Sequence, residues 1–164
     1  MCTHGCDRAL LGGPSTSPLG GTVVTRVASA PMNTPSTEVL GLTAAAMLGL
    51  VHIVLASHSA SLQRGYRWSA GPRDEPLPPL ASIAGRFARA NANYLETFPF
   101  FAAGVLAVIA TGTHSPWSKW GVILYIGGRV AYLPLYASGV FLVRSMAWNV
   151  SVAGIIAVYV ALFL

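Results

Sequence analysis

Residues 39–63, VLGLTAAAMLGLVHIVLASHSASLQ, form an apolar segment without a single Asp, Glu, Lys or Arg. A helix of about 20 apolar residues suffices to cross the hydrocarbon core of a bilayer. Ser36, Thr37 and Glu38 stand just before the segment, and hydroxyl and carboxylate side chains at this place cap the start of a helix. The segment therefore predicts a first membrane-spanning helix over about residues 38–62.

Three further apolar segments follow the first one. The polar loop at residues 63–80 contains glycines and four prolines, and we expect no helix within it. The remaining predicted spans cover about residues 82–110, 117–138 and 145–164, with short connections between them. The sequence therefore predicts an all-α fold, an integral membrane four-helix bundle.

Residues 1–35 differ in composition from the rest of the chain. They are rich in Gly, Ser, Thr and Pro and show no helical apolar period, so we predict a disordered N-terminal extension ahead of a membrane domain at residues 36–164. Met32 lies just before the first span, and a translation start there is a hypothesis. Cys2 and Cys6 form a CxxxC pair, which is a weak metal signal.

The overall composition also indicates a membrane protein. Hydrophobic residues make up 54% of the chain and charged residues only 9%, against about 25% charged residues in soluble domains. The net charge is +5, and basic residues concentrate beside the first and third connections, which places both termini outside the cytoplasm. These basic residues are Arg64, Arg67, Arg73, Arg86, Arg89 and Arg144. We find no phosphate loop, no aromatic-interleaved basic patch and no metal-ligand spacing, and therefore expect neither nucleic acid nor a metal as a partner.

Four polar residues share one face of the second predicted span. They are Arg86, Arg89, Asn93 and Glu96, at steps of three, four and three. At the helical repeat they fall within an arc of about 80°, whereas Asn91 lies off this face near the same helix end. Because charge inside a span costs about 2.5–3.5 kcal/mol on insertion scales, we expect Glu96 to meet a partner rather than lipid.

The third predicted span repeats this pattern. Tyr125, Arg129, Tyr132 and Tyr136 are spaced four, three and four, which places them within an arc of about 60°. Arg129 should also find partners in the bundle, in a neighbouring subunit or on a bound ligand. A structural ion pair and tyrosine packing would explain the pattern too, and Arg86 alone is best explained by snorkelling to the interface. One carboxylate cannot neutralise so many arginines, however, and the surplus favours an anionic ligand.

Arg144 and Ser145 stand at the start of the fourth predicted span. A cation, a hydroxyl donor and the backbone N–H groups of a helix N-terminus could together hold an anion such as a thiolate. An ordinary interfacial arginine beside an N-cap serine explains these two residues equally well. Trp117, Trp120 and Trp148 fall near the predicted span ends, as interfacial anchors do.

The segments RANANYLETFPFF (89–101) and GRVAYLPLYASGVFLVRS (128–145) resemble the MAPEG family, the membrane-associated proteins in eicosanoid and glutathione metabolism, and in particular its short bacterial members. The resemblance covers about residues 38–164. In its second helix the family has Arg, then Asn four residues later and Glu three further on, and Arg89, Asn93 and Glu96 match this signature. The arginine and tyrosines of the family's third helix are matched as well.

The resemblance implies a homotrimer in the bacterial inner membrane, with glutathione as co-substrate bound between adjacent subunits near the cytoplasmic face. The implied activity is that of a glutathione-dependent transferase or peroxidase acting on small hydrophobic electrophiles. The residues that would bind glutathione are Arg89, Asn91, Asn93, Glu96, Arg129, Tyr132 and Tyr136. Arg144 would activate the thiol with Ser145 beside it. The competing hypothesis is a non-enzymatic membrane protein whose polar stripes bind a lipid headgroup or fix subunit assembly.

Overall fold

The computed structural model describes residues 34–72, 74 and 77–164, and Thr34–Leu164 forms one compact unit. All secondary structure in this part of the chain is helical, as the sequence predicts. The helices are α1 (Thr37–Arg64), α2 (Tyr66–Ala70), α3 (Ser82–Thr111), α4 (Pro116–Ser138) and α5 (Phe141–Val160). The predictions for Cys2, Cys6, Met32 and most of the N-terminal extension fall outside the described residues.

Three of the four long helices have the length and composition needed to cross a membrane. These are α1, α3 and α5. The fourth, α4, carries Lys119 and Arg129 and is not among them. The membrane character expected from the sequence is therefore confirmed for three helices.

The prediction that the first connection contains no helix is wrong. The first helix ends at Arg64. Its C-cap is Gly65, whose φ of +89° breaks the helical path. The five-residue helix α2 follows at once and has Gly71 as its C-cap. The prolines of this connection begin only at Pro72, so no proline prevents one turn of helix between the two glycines.

The last helix begins earlier than the sequence predicts. The preceding helix ends at Gly139, which adopts the left-handed conformation with φ of +81°, and α5 begins at Phe141 instead of Ser145. Val140 is the N-cap and provides no side-chain hydrogen bond. The Ser145 hydroxyl lies inside the helix and donates to the Phe141 carbonyl at 3.1 Å. The expectation that Ser145 caps this helix is therefore wrong.

The two central helices of the packing are α3 and α4. Both contact α1 and α5, which do not contact each other. In the core between them, the Phe101 and Tyr125 rings stack with centroids 3.9 Å apart. Val105 and Val122 are also fully or almost fully buried. Apolar burial therefore fixes α3 against α4, which places their polar faces side by side at one end of the molecule.

A buried carboxylate ties the start of α1 to the turn between α3 and α4. Glu38 is almost completely buried, and the Ser118 hydroxyl donates to its Oε1 at 2.6 Å. The Nδ1 atom of His114 lies 3.1 Å from its other carboxylate oxygen. As the sequence predicts, Ser36 caps α1 by accepting a hydrogen bond from the Val39 backbone N–H.

Glycines allow the backbones of α4 and α5 to touch. A Cβ atom added at Gly121 would lie 2.7 Å from the Gly154 carbonyl oxygen, and one added at Gly154 would lie 2.6 Å from the Tyr125 backbone nitrogen. These contacts are with backbone, which cannot rotate away as a side chain can. A side chain at either position would therefore push the two helices apart.

We expect Gly121→Ala to lower the free energy of unfolding by about 1–3 kcal/mol, because the added methyl group overpacks the contact between helices. Gly127→Ala is the matched control on the same helix, since no atom beyond its chain neighbours and the adjacent helix backbone lies within 4 Å of the position of its Cβ. That change should be neutral or stabilise by up to about 1 kcal/mol through helix propensity. Thermal unfolding in detergent measures both. Equal effects at the two positions would contradict the close packing of α4 against α5.

Candidate functional site

A polar cleft of about 320 Å³ opens where α3, α4 and α5 come together. It lies at the end of the helices that also holds the first connection, because the start of α3 meets the end of α4 there. The lining residues are Arg89, Ala92, Asn93, Glu96, Tyr132, Tyr136 and Arg144. Six of the nine residues predicted for the site therefore lie around one cleft.

Two arginines, one on α3 and one on α5, contact the Tyr136 side chain. The Nε atom of Arg89 donates to the Tyr136 hydroxyl oxygen at 3.3 Å, and the guanidinium carbon of Arg144 lies 4.7 Å from the centroid of its ring. A cation above an aromatic face is attracted by the ring quadrupole. Because the Tyr136 oxygen accepts from Arg89, its own O–H proton remains available as a donor.

Glu96 supplies the carboxylate of the cleft. Its side chain is exposed, and none of the described residues forms an ion pair with it. Of the partners expected for Glu96, a neighbouring subunit or a bound ligand therefore stays a prediction. An unpaired carboxylate beside Arg89 and Arg144 leaves the cleft with two guanidinium groups against one acidic group, and this arrangement suits a ligand that carries more negative than positive charge.

Arg129 lies behind the cleft rather than in its lining. It is 0% exposed. It donates from Nη1 to the Asn93 side-chain oxygen at 2.8 Å and from Nη2 to the Thr97 hydroxyl. The expectation that this buried cation finds partners inside the protein is confirmed. The guanidinium group is enclosed by side chains, and direct contact of Arg129 with glutathione stays a prediction.

Three aromatic rings enclose the Arg129 guanidinium group. Its central carbon lies 5.9 Å from the Tyr94 ring centroid, 5.6 Å from that of Tyr125 and 5.5 Å from that of Tyr132. Ring quadrupoles and the two hydrogen bonds therefore take the place of a carboxylate partner. The sequence singled out Tyr125 and Tyr132, but Tyr94 was missed because it lies off the predicted polar face, and Thr97 was missed although it lies one helical turn after Asn93.

The hydrogen bond from Arg129 determines which atoms of the Asn93 side-chain amide can reach a ligand. A guanidinium group can only donate, so the amide group of Asn93 must turn its oxygen toward Arg129. The amide N–H₂ group of Asn93 is left for the cleft, which its residue lines. Asn93 therefore acts as a donor toward a ligand, and together with Arg89, Arg144 and the Tyr136 hydroxyl it gives the cleft a strong excess of donors.

Asn91 lies on a different face of α3. It lines a separate cavity of about 290 Å³ with Ser61, Arg64 and Trp68, among others. The Oδ1 atom of Asn91 is buried and has no hydrogen-bond partner among the described residues. One ligand molecule in the cleft of the same protomer cannot reach Asn91, because two helical positions place it about 200° around the axis from Arg89.

Arg86 has a structural contact. Its Nη1 atom donates to the Ala137 carbonyl oxygen at 2.7 Å, in the last turn of α4. Arginines commonly bind the free carbonyl groups at a helix C-terminus. Arg86 does not line the cleft. The sequence analysis likewise explained Arg86 without a ligand.

A second, smaller cavity adjoins the cleft. Its volume is about 190 Å³, and it is lined by Asn93, Tyr132, Arg144, Ser145 and Trp148. The first three of these residues also line the cleft. Ser145 is therefore near the predicted site, although its hydroxyl group donates to the Phe141 carbonyl.

The tryptophans near the predicted span ends differ in their surroundings. Trp117 and Trp120 are 54% and 63% exposed, as interfacial anchors should be. Trp148 is half-buried and lines the smaller cavity. An anchor role alone does not explain this position.

Comparison with protein families identifies the family of the chain. The model of the MAPEG family matches residues 41–164, which cover the cleft and almost all of the described helices. The chain therefore belongs to the MAPEG family, which includes glutathione transferases and peroxidases. Neither the curated proteins nor the solved structures gave a significant match. The resemblance identified from the sequence is thus confirmed.

Proposed function

We propose that the protein is an integral membrane, glutathione-dependent transferase that forms the glutathione thiolate for attack on lipophilic electrophiles. The same thiolate would reduce hydroperoxides, which adds a peroxidase activity. The observation that carries this proposal is the cleft itself, where two guanidinium groups, an amide donor and a tyrosine hydroxyl surround one unpaired carboxylate. Family membership supports it, because MAPEG members use glutathione.

Glutathione and the cleft have complementary charges. The tripeptide carries two carboxylates, one ammonium group and a thiol. In the proposed complex, Arg89 and Asn93 donate to carboxylate oxygens, and Glu96 accepts from the ammonium group. Charge-assisted hydrogen bonds of this kind are about twice as strong as neutral ones. Two guanidinium groups with a single carboxylate match the ligand's excess of negative charge.

Arg144 is the residue we assign to the thiol. A nearby positive charge favours the thiolate and so lowers the pKa of a thiol. Arg144 lines both the cleft and the adjoining cavity, so a sulfur atom beside it would also face the space where a second substrate could enter. Ser145 would reach the sulfur only after breaking its bond to the Phe141 carbonyl, and its contribution is therefore secondary.

We further propose a homotrimer of four-span subunits with glutathione bound between adjacent subunits. Asn91 does not argue for this arrangement, because it lines a cavity between α3 and α1 of its own protomer and its Oδ1 atom is buried there. Arg64, Arg86, Arg89 and Arg144 cluster at one end of the helices. The positive-inside rule would place this end in the cytoplasm of a bacterium, with the protein in the inner membrane and both termini outside.

Equilibrium binding of glutathione to the detergent-purified protein tests the proposal. We expect Glu96→Gln to weaken glutathione binding about tenfold or more, because the ammonium group loses a charged partner. Glutathione that lacks the amino group is the matched ligand. It should bind the wild type and Glu96→Gln about equally, so that the two changes are not additive. Absence of glutathione binding, or an equal loss with both ligands, would contradict the proposed complex.

A further inference from the structure

Tyr94 is a buried residue of α3 that takes no part in the glutathione complex described above. It follows Asn93 in the chain but lies off the polar face of the helix, and its side chain is fully buried. We propose that Tyr94 is a positioning residue for glutathione binding, which transmits the position of α1 through Arg129 to the Asn93 amide. The inference rests on the proposed glutathione-dependent function and extends it to a helix that does not line the cleft.

Three positions on α1 determine where the Tyr94 side chain lies. The Tyr94 hydroxyl donates to the backbone carbonyl of Ala45, and the His52 ring stacks on the Tyr94 ring with centroids 4.6 Å apart. Gly49 lies between these contacts, and a Cβ atom added there would be 3.0 Å from Cε1 of Tyr94. Steps of four and three place the three positions on one face of α1. The Tyr94 ring therefore contacts α1 along about two helical turns.

The Tyr94 ring also contacts the buried cation of α4. The Arg129 guanidinium carbon lies 5.9 Å from the centroid of this ring, and a cation within about 6 Å of a ring centroid is attracted by the ring quadrupole. The Nε atom of Arg129 has no hydrogen-bond partner among the described residues. Rings and two hydrogen bonds therefore hold the guanidinium group, and its position should follow that of the Tyr94 ring.

Arg129 connects this contact to the cleft. Its Nη1 atom donates to the Asn93 side-chain oxygen at 2.8 Å, which leaves the Asn93 N–H₂ group for a glutathione carboxylate. A hydrogen bond weakens steeply as its geometry departs from the preferred one, so a displaced Arg129 weakens the bond from Asn93 to the ligand. Arg144, which we assign to the thiol, lies on α5 and contacts the Tyr136 ring. Glutathione affinity should therefore change without a change in thiolate formation.

Two variants disturb the contact between α1 and the ring. Tyr94→Leu removes the ring, and Gly49→Ala places a methyl group against it, so that the ring must move by a few tenths of an ångström. Gly41→Ala is the matched control on α1, because the atoms nearest to its added Cβ belong to Val122 and Ile126. Both alanine changes bring the same gain in helix propensity and press a methyl group against a side chain.

Two measurements are made on each variant. The first needs no ligand and records the side-chain amide resonances of Asn93 in ¹⁵N-labelled protein in detergent, which are identified by their loss in Asn93→Ala. The second is the dissociation constant of glutathione, with the thiolate absorbance at saturating glutathione recorded on the same samples. A purely structural defect would lower the amplitude of the thiolate signal, whereas a positioning defect changes the dissociation constant.

We expect Tyr94→Leu and Gly49→Ala to shift the Asn93 resonances. Glutathione binding should weaken about tenfold in Tyr94→Leu and about threefold in Gly49→Ala, the loss of all or part of one hydrogen bond of ordinary strength. The thiolate absorbance at saturation should change less than about twofold in both, and Gly41→Ala should leave affinity and resonances within the same limit. Added to Asn93→Ala, Tyr94→Leu should weaken binding by less than about twofold, because the two changes act on one path.

Three outcomes would overturn the inference. They are equal effects of Gly41→Ala and Gly49→Ala on affinity, unchanged Asn93 resonances in Tyr94→Leu, and a full further loss of affinity when Tyr94→Leu is added to Asn93→Ala. If Tyr94→Leu does not fold, the comparison of Gly49→Ala with Gly41→Ala decides alone. Failure of the proposed function is distinct, since the wild type would then bind no glutathione while the Asn93 resonances would still respond to Gly49→Ala and not to Gly41→Ala.

Discussion

Replacement of Arg144 by alanine is expected to lower kcat/KM for thioether formation by about 100-fold, in the range found when one charge-stabilising donor is removed from an active site. Arg144 lines the cleft and the adjoining cavity and lies above the Tyr136 ring. Its loss leaves the sulfur without a nearby positive charge, so the thiol stays protonated at neutral pH. The ultraviolet absorbance of the thiolate, measured on mixing protein with glutathione, should disappear.

Arg86→Ala is the matched control for this change. Arg86 lies at the same end of the helices but binds the Ala137 carbonyl and does not line the cleft, so the thiolate absorbance should persist. Arg144→Lys should retain part of it, since the charge is kept while the fork of donors is lost. A thiolate signal that survives Arg144→Ala would remove this residue from the mechanism. No signal in the wild type would favour the non-enzymatic alternative, in which the polar residues bind a lipid headgroup.

Replacement of Arg129 by methionine should destabilise the protein more than any other change proposed for the site. The Asn93 side-chain oxygen and the Thr97 hydroxyl, which are partly buried, would each lose a charged donor, and the loss of two hydrogen bonds to a charged group costs roughly 3 kcal/mol. For a domain of this size the loss corresponds to a fall in Tm of roughly 10 °C. Glutathione affinity should fall as well, because the orientation of the Asn93 amide is no longer fixed.

Thr97→Val provides the control that separates the Arg129 contact from a general loss of packing. This change keeps the volume of the side chain and removes the hydroxyl oxygen that accepts from Arg129. If the two residues act through their hydrogen bond, the fall in Tm of the double variant should be smaller than the sum of the two single falls. Strict additivity would show that Arg129 stabilises the protein without Thr97.

Helical spacing predicted most of the cleft from the sequence. Arg89, Asn93 and Glu96 repeat at steps of four and three, and such steps place side chains on one face of a helix whatever the tertiary packing. The same periodicity placed Tyr132 and Tyr136 together on α4. The apolar segments likewise predicted the long helices, because a segment that buries its side chains must satisfy its backbone internally.

The burial of individual side chains and the exact ends of the helices could not be predicted in this way. Arg129 shares a face with Tyr132, yet its guanidinium group is enclosed because Tyr94 and Thr97 of α3 pack around it. Such partners depend on how two helices meet, which periodicity does not define. The early start of α5 at Phe141 was missed because no proline or capping side chain marks it. Trp148 shows the same limit, since an interfacial tryptophan and a cavity wall have the same sequence signal.

The glycine contacts between α4 and α5 determine which wall of the cleft can adjust. With their backbones touching at Gly121 and Gly154, the two helices cannot slide or rotate independently without collision. We therefore expect α4 and α5 to move together as one unit, so that Tyr136 and Arg144 keep their separation when a ligand binds. Adjustment to ligands of different shape would then fall to α3, which contributes Arg89 and Glu96 to the other wall of the cleft.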